Sequence, residues 1–439
     1  MVNNKVNAGI KYTLKSFFDV EVDDVLKTRL ELFELERDDF YLLNDFVTTI
    51  KASDYMKGVL EYFDVPEQET PAGFKKVFEY KGDGVLEVGL VRDISYGKNG
   101  VRRPTDILFS ADSANPYEIA PIKDLIANLT CNPGIIYDLF INNPKANVGG
   151  KFKTRDEVMA EIGRILGPGC DISVELNDPF NSTDQEILEE AGKFKEMLSE
   201  YRLVIKVPHT GPVNKDNVNQ LLEGDKKLNV RYNEPTTQDA FRGHQIALML
   251  KEHGYRVNFT LMFEPYQTNL ALQAKPYFIN SFIRHRLMQS EKIAALLDKY
   301  SLTHEPSLLI ELRKLFIDQD YLTKDDENMD LLRIKEMGEH ILRYRRFDDE
   351  EGEMGLDSVR HNLRLLKQTN MDDVRLIICS MEGEVNYPSI DKLLMEPEFA
   401  DVLDRVVITA EPNYLARFTS TNQVVSYQRR FMNAASGQK

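Results

Sequence analysis

A chain of 439 residues in which 42% of side chains are apolar and 29% charged has the balance of an ordinary folded protein, which excludes a disordered or fibrous one. It exceeds the ~250–300 residues at which a single core stops growing, so one large domain with appended elements is expected. A formal net charge of −16 leaves no basic footprint for a nucleic-acid backbone, although a small anionic ligand needs only a few local Arg or Lys residues.

Residues 20–63 space apolar side chains three and four apart (Val25, Leu26, Leu30, Leu32, Phe33) among many acids, a helical pattern, whereas 84–92 alternates like a strand. Residues 1–105 are therefore expected to form a mostly helical N-terminal extension. The N-terminus has no apolar h-region ahead of a small-residue cleavage site, and no apolar run reaches the ~18 residues of a membrane span. A cytoplasmic protein without membrane partners is expected. Cys131, Cys170 and Cys379 sit beside apolar runs and show no metal-ligand spacing, so they read as reduced structural thiols with no metal site.

From about Asp106 short β-rich runs alternate with helical stretches: 107–111, 129–132, 171–176, 203–207, 257–263, 278–283, 376–380 and 406–409. Thr154-Arg155-Asp156-Glu157 and Thr183-Asp184-Gln185-Glu186 are capping boxes that open amphipathic helices between them. This α/β pattern fits a (β/α)8 TIM barrel better than a doubly wound sheet, because no G-x-G-x-x-G follows the first strand. A strand-like run at 228–232 leaves the strand count open by one. Residues 287–373 are longer than one crossover helix requires, and Ile293, Leu296, Leu297, Leu308, Leu309, Leu312, Leu315 and Phe316 recur at helical spacing. They are expected to form a helical insertion between strands 6 and 7, with the acidic run 348–353 as a solvated loop. The barrel itself is assigned to 106–286 and 374–439.

The fourth run, Leu203-Val204-Ile205-Lys206-Val207-Pro208, carries a lysine into the interior. Burial disfavours an ammonium, and a neutral amine attacks carbonyls to form a Schiff base. A solvated or salt-bridged lysine is the plainer reading of this motif alone. Catalytic groups of such barrels gather at the C-terminal ends of several strands. There the chain offers Asp112, Asn132, Glu175, Lys206, Asn258 and Thr260, each interrupting an apolar strand. Singly, Asp112 could cap a turn, Asn132 before Pro133 is a common turn residue and Thr260 a common strand former. Together they supply one amine, two carboxylates and two amides, the groups that covalent carbonyl chemistry needs.

The order of these motifs resembles that of transaldolase and its relatives among the class I Schiff-base aldolases. The resemblance rests on Asp112-Ser113-Ala114-Asn115, Thr130-Cys131-Asn132-Pro133, Val174-Glu175, Ile205-Lys206-Val207-Pro208 and Val257-Asn258-Phe259-Thr260-Leu261, and continues through Gln267, Ala271 and 278–282. It covers roughly 106–282, and 374–418 more weakly. It implies that Lys206 forms a Schiff base with the C2 carbonyl of a ketose, and that Asp112 takes the C4 hydroxyl proton as the C3–C4 bond breaks. Glu175 would move protons through a water that Thr260 helps hold. Asn132 and Asn258 would bind the hydroxyls of the three-carbon unit, and Asn280, Phe282 and Ser380 would complete the substrate site. The related fructose-6-phosphate aldolases carry Gln and Tyr where Glu175 and Phe282 stand, which favours transfer to an aldose over simple cleavage. No cofactor is implied, and a homo-oligomer is left open.

The chain departs from this family where the sugar phosphate would bind. His285 falls at an arginine position, with Arg284 and Arg286 beside it as replacements, and Glu382 stands where a second arginine is expected. Asn280 and Gly134 replace serines, and His209 replaces a small residue. His209 reads either as a proton carrier near the amine or, more plainly, as a structural group. The expected partner is a sugar or sugar phosphate. The alternatives are an aldolase for a different or unphosphorylated ketose, and an inactive sugar-binding or assembly barrel.

Overall fold

The computed structural model describes residues 11–381 and 383–437, and of 383–385 only the backbone. The chain divides into two compact units, Met1–Thr105 with Leu166–Asp171, and Asp106–Ile165 with Ile172–Lys439.

The first unit corrects the expectation of a mostly helical extension. Its described part holds a four-stranded sheet in the order Glu21–Val22, Thr49–Ala52, Val85–Arg92, Phe74–Gly82, with only short helices at Asp24–Lys27, Arg37–Leu43 and Asp54–Tyr62. The last two strands form an antiparallel hairpin. Its turn carries positive φ at Gly82, Asp83 and Gly84 (91°, 48° and 77°), a conformation for which Gly-Asp-Gly is suited. That tripeptide was the local signal for a hairpin. The three-and-four spacing of residues 20–63 mixed single-turn helices with short strands, and both contribute to one core of Leu26, Phe33, Ile50, Met56, Val59, Phe74, Leu86 and Val88.

The second unit is a closed barrel of eight strands: β1 (Leu108–Asp112), β2 (Asn128–Cys131), β3 (Asp171–Glu175), β4 (Leu203–Pro208), β5 (Arg256–Thr260), β6 (Phe278–Phe282), β7 (Arg375–Cys379) and β8 (Val406–Ala410). Helices cover the strands from outside, so β4, β7 and β8 are buried along their whole length and read as continuous rather than alternating apolar runs. Residues 228–232 form no strand. Both capping boxes form: Thr183 Oγ1 accepts from Glu186 N while Glu186 Oε2 accepts from Thr183 N, and Thr154 and Glu157 pair in the same way. Among the described residues no helix is long and apolar enough to cross a membrane.

Between β6 and β7 lie the helices Arg284–Thr303, Pro306–Asp318, Leu331–Tyr344 and Asp357–Gln368. The first three enclose a core of Ile293, Leu296, Leu309, Leu312, Phe316, Leu322 and Ile334, which gives the helical spacing its physical cause. Gly338 lies where a Cβ would stand 3.1 Å from the side chain of Leu297 and 3.2 Å from that of Ile293, so its small size lets the helices approach. These helices are tied to the loop after β5 by a buried ionic cluster. Glu264 Oε2 accepts from Arg286 Nε at 2.8 Å and Glu264 Oε1 from Arg345 at 2.6 Å, while both terminal nitrogens of Arg286 donate to Asp357.

Arg286 and Arg345 are 2% and 5% exposed, so removing a partner leaves charge in a site that water cannot reach. Glu264→Gln should cost about 3–5 kcal/mol of stability in urea unfolding. Glu339→Ala, which removes the partly exposed pair with Lys335, should cost under about 1 kcal/mol.

Candidate active site

Register decides which side chains meet at the C-terminal mouth. Lys206 on β4 pairs with Glu175 on β3 and with Asn258 on β5, so amine, carboxylate and amide share one level of the barrel. Asp112 pairs with Thr130 across β1 and β2. Above this level opens a cavity of about 500 Å³ lined, among others, by Asp112, Asn132, Glu175, Lys206, Thr260 and Asn280.

Lys206 is 5% exposed, and its Nζ lies 3.3 Å from Glu175 Oε2. Burial by itself pushes the amine pKa down, but the charges of Glu175 and then Asp112 outweigh it and hold the lysine above its ordinary range. The sequence-based expectation of a lysine neutralised by burial is corrected here: the carboxylates keep it an ammonium. Asp112 is oriented by Thr130, whose Oγ1 donates to Asp112 Oδ1 at 2.7 Å. Burial, foremost, pushes the Cys131 thiol up to about 12 and raises that of Cys379, so neither adds charge near Lys206. All three cysteines are buried thiols.

The amides divide their work. Asn132 Oδ1 accepts from Ile135 N at 2.9 Å, opening the π-helical stretch Ile135–Ile141, and the same side chain lines the cavity. It is thus both turn residue and wall. Asn258 is fully buried below the cavity, where its Oδ1 accepts from Asn280 Nδ2 at 2.6 Å. Thr260 lines the cavity at 1% exposure with its Oγ1 unpartnered among the described residues, a position able to hold a water or a substrate hydroxyl.

Phe282, Arg284 and Ser380 also line the cavity, with Phe282 packed against Phe263 at a centroid distance of 4.9 Å. Leu261 and Ser380, the first residues after β5 and β7, both adopt left-handed backbone at φ 57° and 52°, and both are cavity-lining. Such non-glycine conformations persist only where surrounding structure enforces them, and they concentrate at functional sites.

Two expected phosphate ligands are placed elsewhere. Arg286 is consumed by Glu264 and Asp357 inside the helical cluster, because the chain turns into a helix at Arg284 and Arg286 falls on its buried side. His285 is on the exposed side, next to Gln289. Glu382 lies outside the described residues. Sequence reasoning missed Glu411 and Tyr414, which follow β8, and Thr409 within it, all three lining the cavity. Their signal was available: Thr409-Ala410-Glu411-Pro412 is a strand end followed by a helix-opening proline.

His209 does not line the cavity. Its ring stands 4.4 Å from that of Phe259 and 5.2 Å from that of His244, and burial, with a smaller contribution from His244, lowers its pKa to about 3. It is a neutral packing residue rather than a proton carrier. The unfolded chain, with the ordinary value of 6.5, binds the proton first on acidification, so this stability is complete above about pH 6.5 and lost as pH falls toward 3. From about pH 7 to about pH 4.5 the wild type should lose about 2–3 kcal/mol more than His209→Phe in urea unfolding.

Residues 109–305 match the family model described as transaldolase/fructose-6-phosphate aldolase. No curated protein matches the chain significantly. Among solved structures, a mandelate oxidase mutant with a monooxide FMN adduct is 11% identical, covering 60% of this chain and 79% of its own, with a TM-score of 0.24. A cube-shaped porous protein cage, designed by fusing symmetric oligomeric domains, is 9% identical over 75% of this chain and 100% of its own, with a TM-score of 0.23. Scores this low bear on neither fold nor function.

Proposed function

We propose that this chain, a divergent member of the transaldolase family through residues 109–305, moves a three-carbon dihydroxyacetone unit from a ketose to an aldose through a Schiff base on Lys206. One observation carries the reading: a buried lysine amine 3.3 Å from a carboxylate, opening onto a cavity that a second carboxylate, Asp112, also lines. Glu175 accepts the ammonium proton, and Lys206 Nζ attacks the C2 carbonyl to give a carbinolamine. Glu175 returns the proton as water leaves, forming the iminium. Asp112 takes the proton of the C4 hydroxyl as the C3–C4 bond breaks, and the bonding electrons pass into the iminium to give an enamine. The aldose product departs, an acceptor aldose takes its place, and the steps run in reverse. Thr260, with its unpartnered hydroxyl, suits the position of the water that carries protons from Glu175.

Transfer rather than simple cleavage is supported by Glu175 and Phe282, both cavity-lining and both of the transaldolase type. The reading needs no metal or organic cofactor, and its cytoplasmic setting is supported by the buried thiols.

Borohydride reduction with a panel of ketoses tests it. Wild-type protein should gain a stable adduct on the Lys206 peptide by mass spectrometry, and Lys206→Arg should gain none, because a guanidinium stays protonated. Adduct on the arginine variant at the wild-type level would assign the nucleophile elsewhere. Asp112→Asn should still be trapped yet lose ~10²–10⁴ in cleavage rate, as expected for a lost general base. Equal loss of trapping and cleavage would make Asp112 a binding or structural residue.

A further inference from the structure

We infer that β8 and the residue that follows it supply a substrate-binding wall, Thr409 and Glu411, which takes the hydroxyl-bearing end of an unphosphorylated ketose and disfavours its phosphate ester. The inference rests on the Schiff-base reading of Lys206 and adds to it the class of substrate.

Thr409 is 1% exposed, lines the cavity, and its Oγ1 has no hydrogen-bond partner among the described residues. A buried hydroxyl without a partner is costly unless something entering the cavity satisfies it, and a sugar hydroxyl both donates to and accepts from it. Thr409 pairs with Ser110 and Ala410 with Ala111 across β8 and β1, so the chain leaves β8 beside Asp112. The next residue, Glu411, is the N-cap of the helix Pro412–Arg417, yet its side chain makes no capping bond. It lines the cavity instead. Burial, and after it the charge of Asp112, raise its pKa, while Arg284 acts in the opposite sense.

Among the described residues the charged groups of the lining are the acids Asp112, Glu175 and Glu411 and the bases Lys206 and Arg284. Three carboxylates against two cations is an adverse setting for a phosphate dianion. Schiff-base formation does not relieve it, because the iminium carries the same charge as the ammonium it replaces. Sugar hydroxyls, by contrast, donate to a carboxylate such as Glu411 without adding charge.

The test compares kcat/KM for unphosphorylated 2-ketoses and their terminal phosphate esters, with borohydride trapping at Lys206 measured in parallel. The wild type should favour the unphosphorylated sugars by about 100-fold or more, equivalent to about 2.7 kcal/mol. Glu411→Gln should shrink that preference by about tenfold or more, and Glu411→Arg should reverse it. Thr409→Val should raise KM for the unphosphorylated ketose by about tenfold, and Thr409→Ser, which keeps the hydroxyl, should restore it. A wild type that prefers the esters, or a preference unmoved by both Glu411 substitutions, overturns the inference. Trapping by phosphate esters in preference to free ketoses would overturn it while leaving the Schiff base intact. Absence of any Lys206 adduct with every sugar would overturn both.

Discussion

The site is organised around an ammonium held inside a barrel. A charge removed from water persists only where opposite charge and hydrogen bonds replace its hydration, and Lys206 receives that compensation from the neighbouring strands. Parallel register sets Glu175 beside it, and Asp112 acts on it from the cavity wall. The same carboxylates that make burial tolerable are the groups through which its proton can move. Under the proposed mechanism the fold couples stability and chemistry in one pair: what lowers the cost of keeping Lys206 charged is also the group that would take its proton.

The mouth above is shaped by its loops. Gln267 holds the turn after β5, its Oε1 accepting from Phe263 N at 2.7 Å and Glu264 N at 2.8 Å, and its Nε2 donating to Leu261 O at 3.1 Å. This fixes Leu261 in its left-handed conformation and aims Glu264 at Arg286 and Arg345. The helices between β6 and β7 are thereby fastened to a loop that borders the cavity. Their ionic cluster also explains why Arg286 is not a ligand: its three donor nitrogens already face carboxylates.

Among the described residues Arg284 is the guanidinium that lines the cavity, and Glu411 is a carboxylate of the same lining. A site that needed to hold phosphate would gain from an additional cation at this end. The carboxylate and the unsatisfied hydroxyl of Thr409 instead suit a polyol, for which hydrogen-bond direction matters more than charge. Lys206 and Glu175 sit on the strands themselves, while Leu261, Ser380 and Glu411 sit where strands give way to loops and helices, the part of a barrel most open to variation.

What was legible in the sequence follows from one-dimensional regularities. The eight barrel strands could be read from apolar runs that burial on both faces makes continuous, and the helices between β6 and β7 from a repeat of three and four. Asp112, Glu175, Lys206 and Thr260 stood out because each is a polar residue at the end of such a run. Of the four-stranded sheet in the first unit only the strand at 84–92 was legible, because Glu21–Val22 and Thr49–Ala52 are too short to show a period and lie among single-turn helices, although the Gly-Asp-Gly turn was a local sign of the hairpin. Only the tertiary structure decided what depends on register and distance: that Lys206 stays charged, that His209 packs rather than titrates, that Arg286 is spent on Glu264 and Asp357, and that Thr409 and Glu411 face the cavity. A sequence records which groups are present, but their protonation and partners are set by neighbours that folding brings from far along the chain.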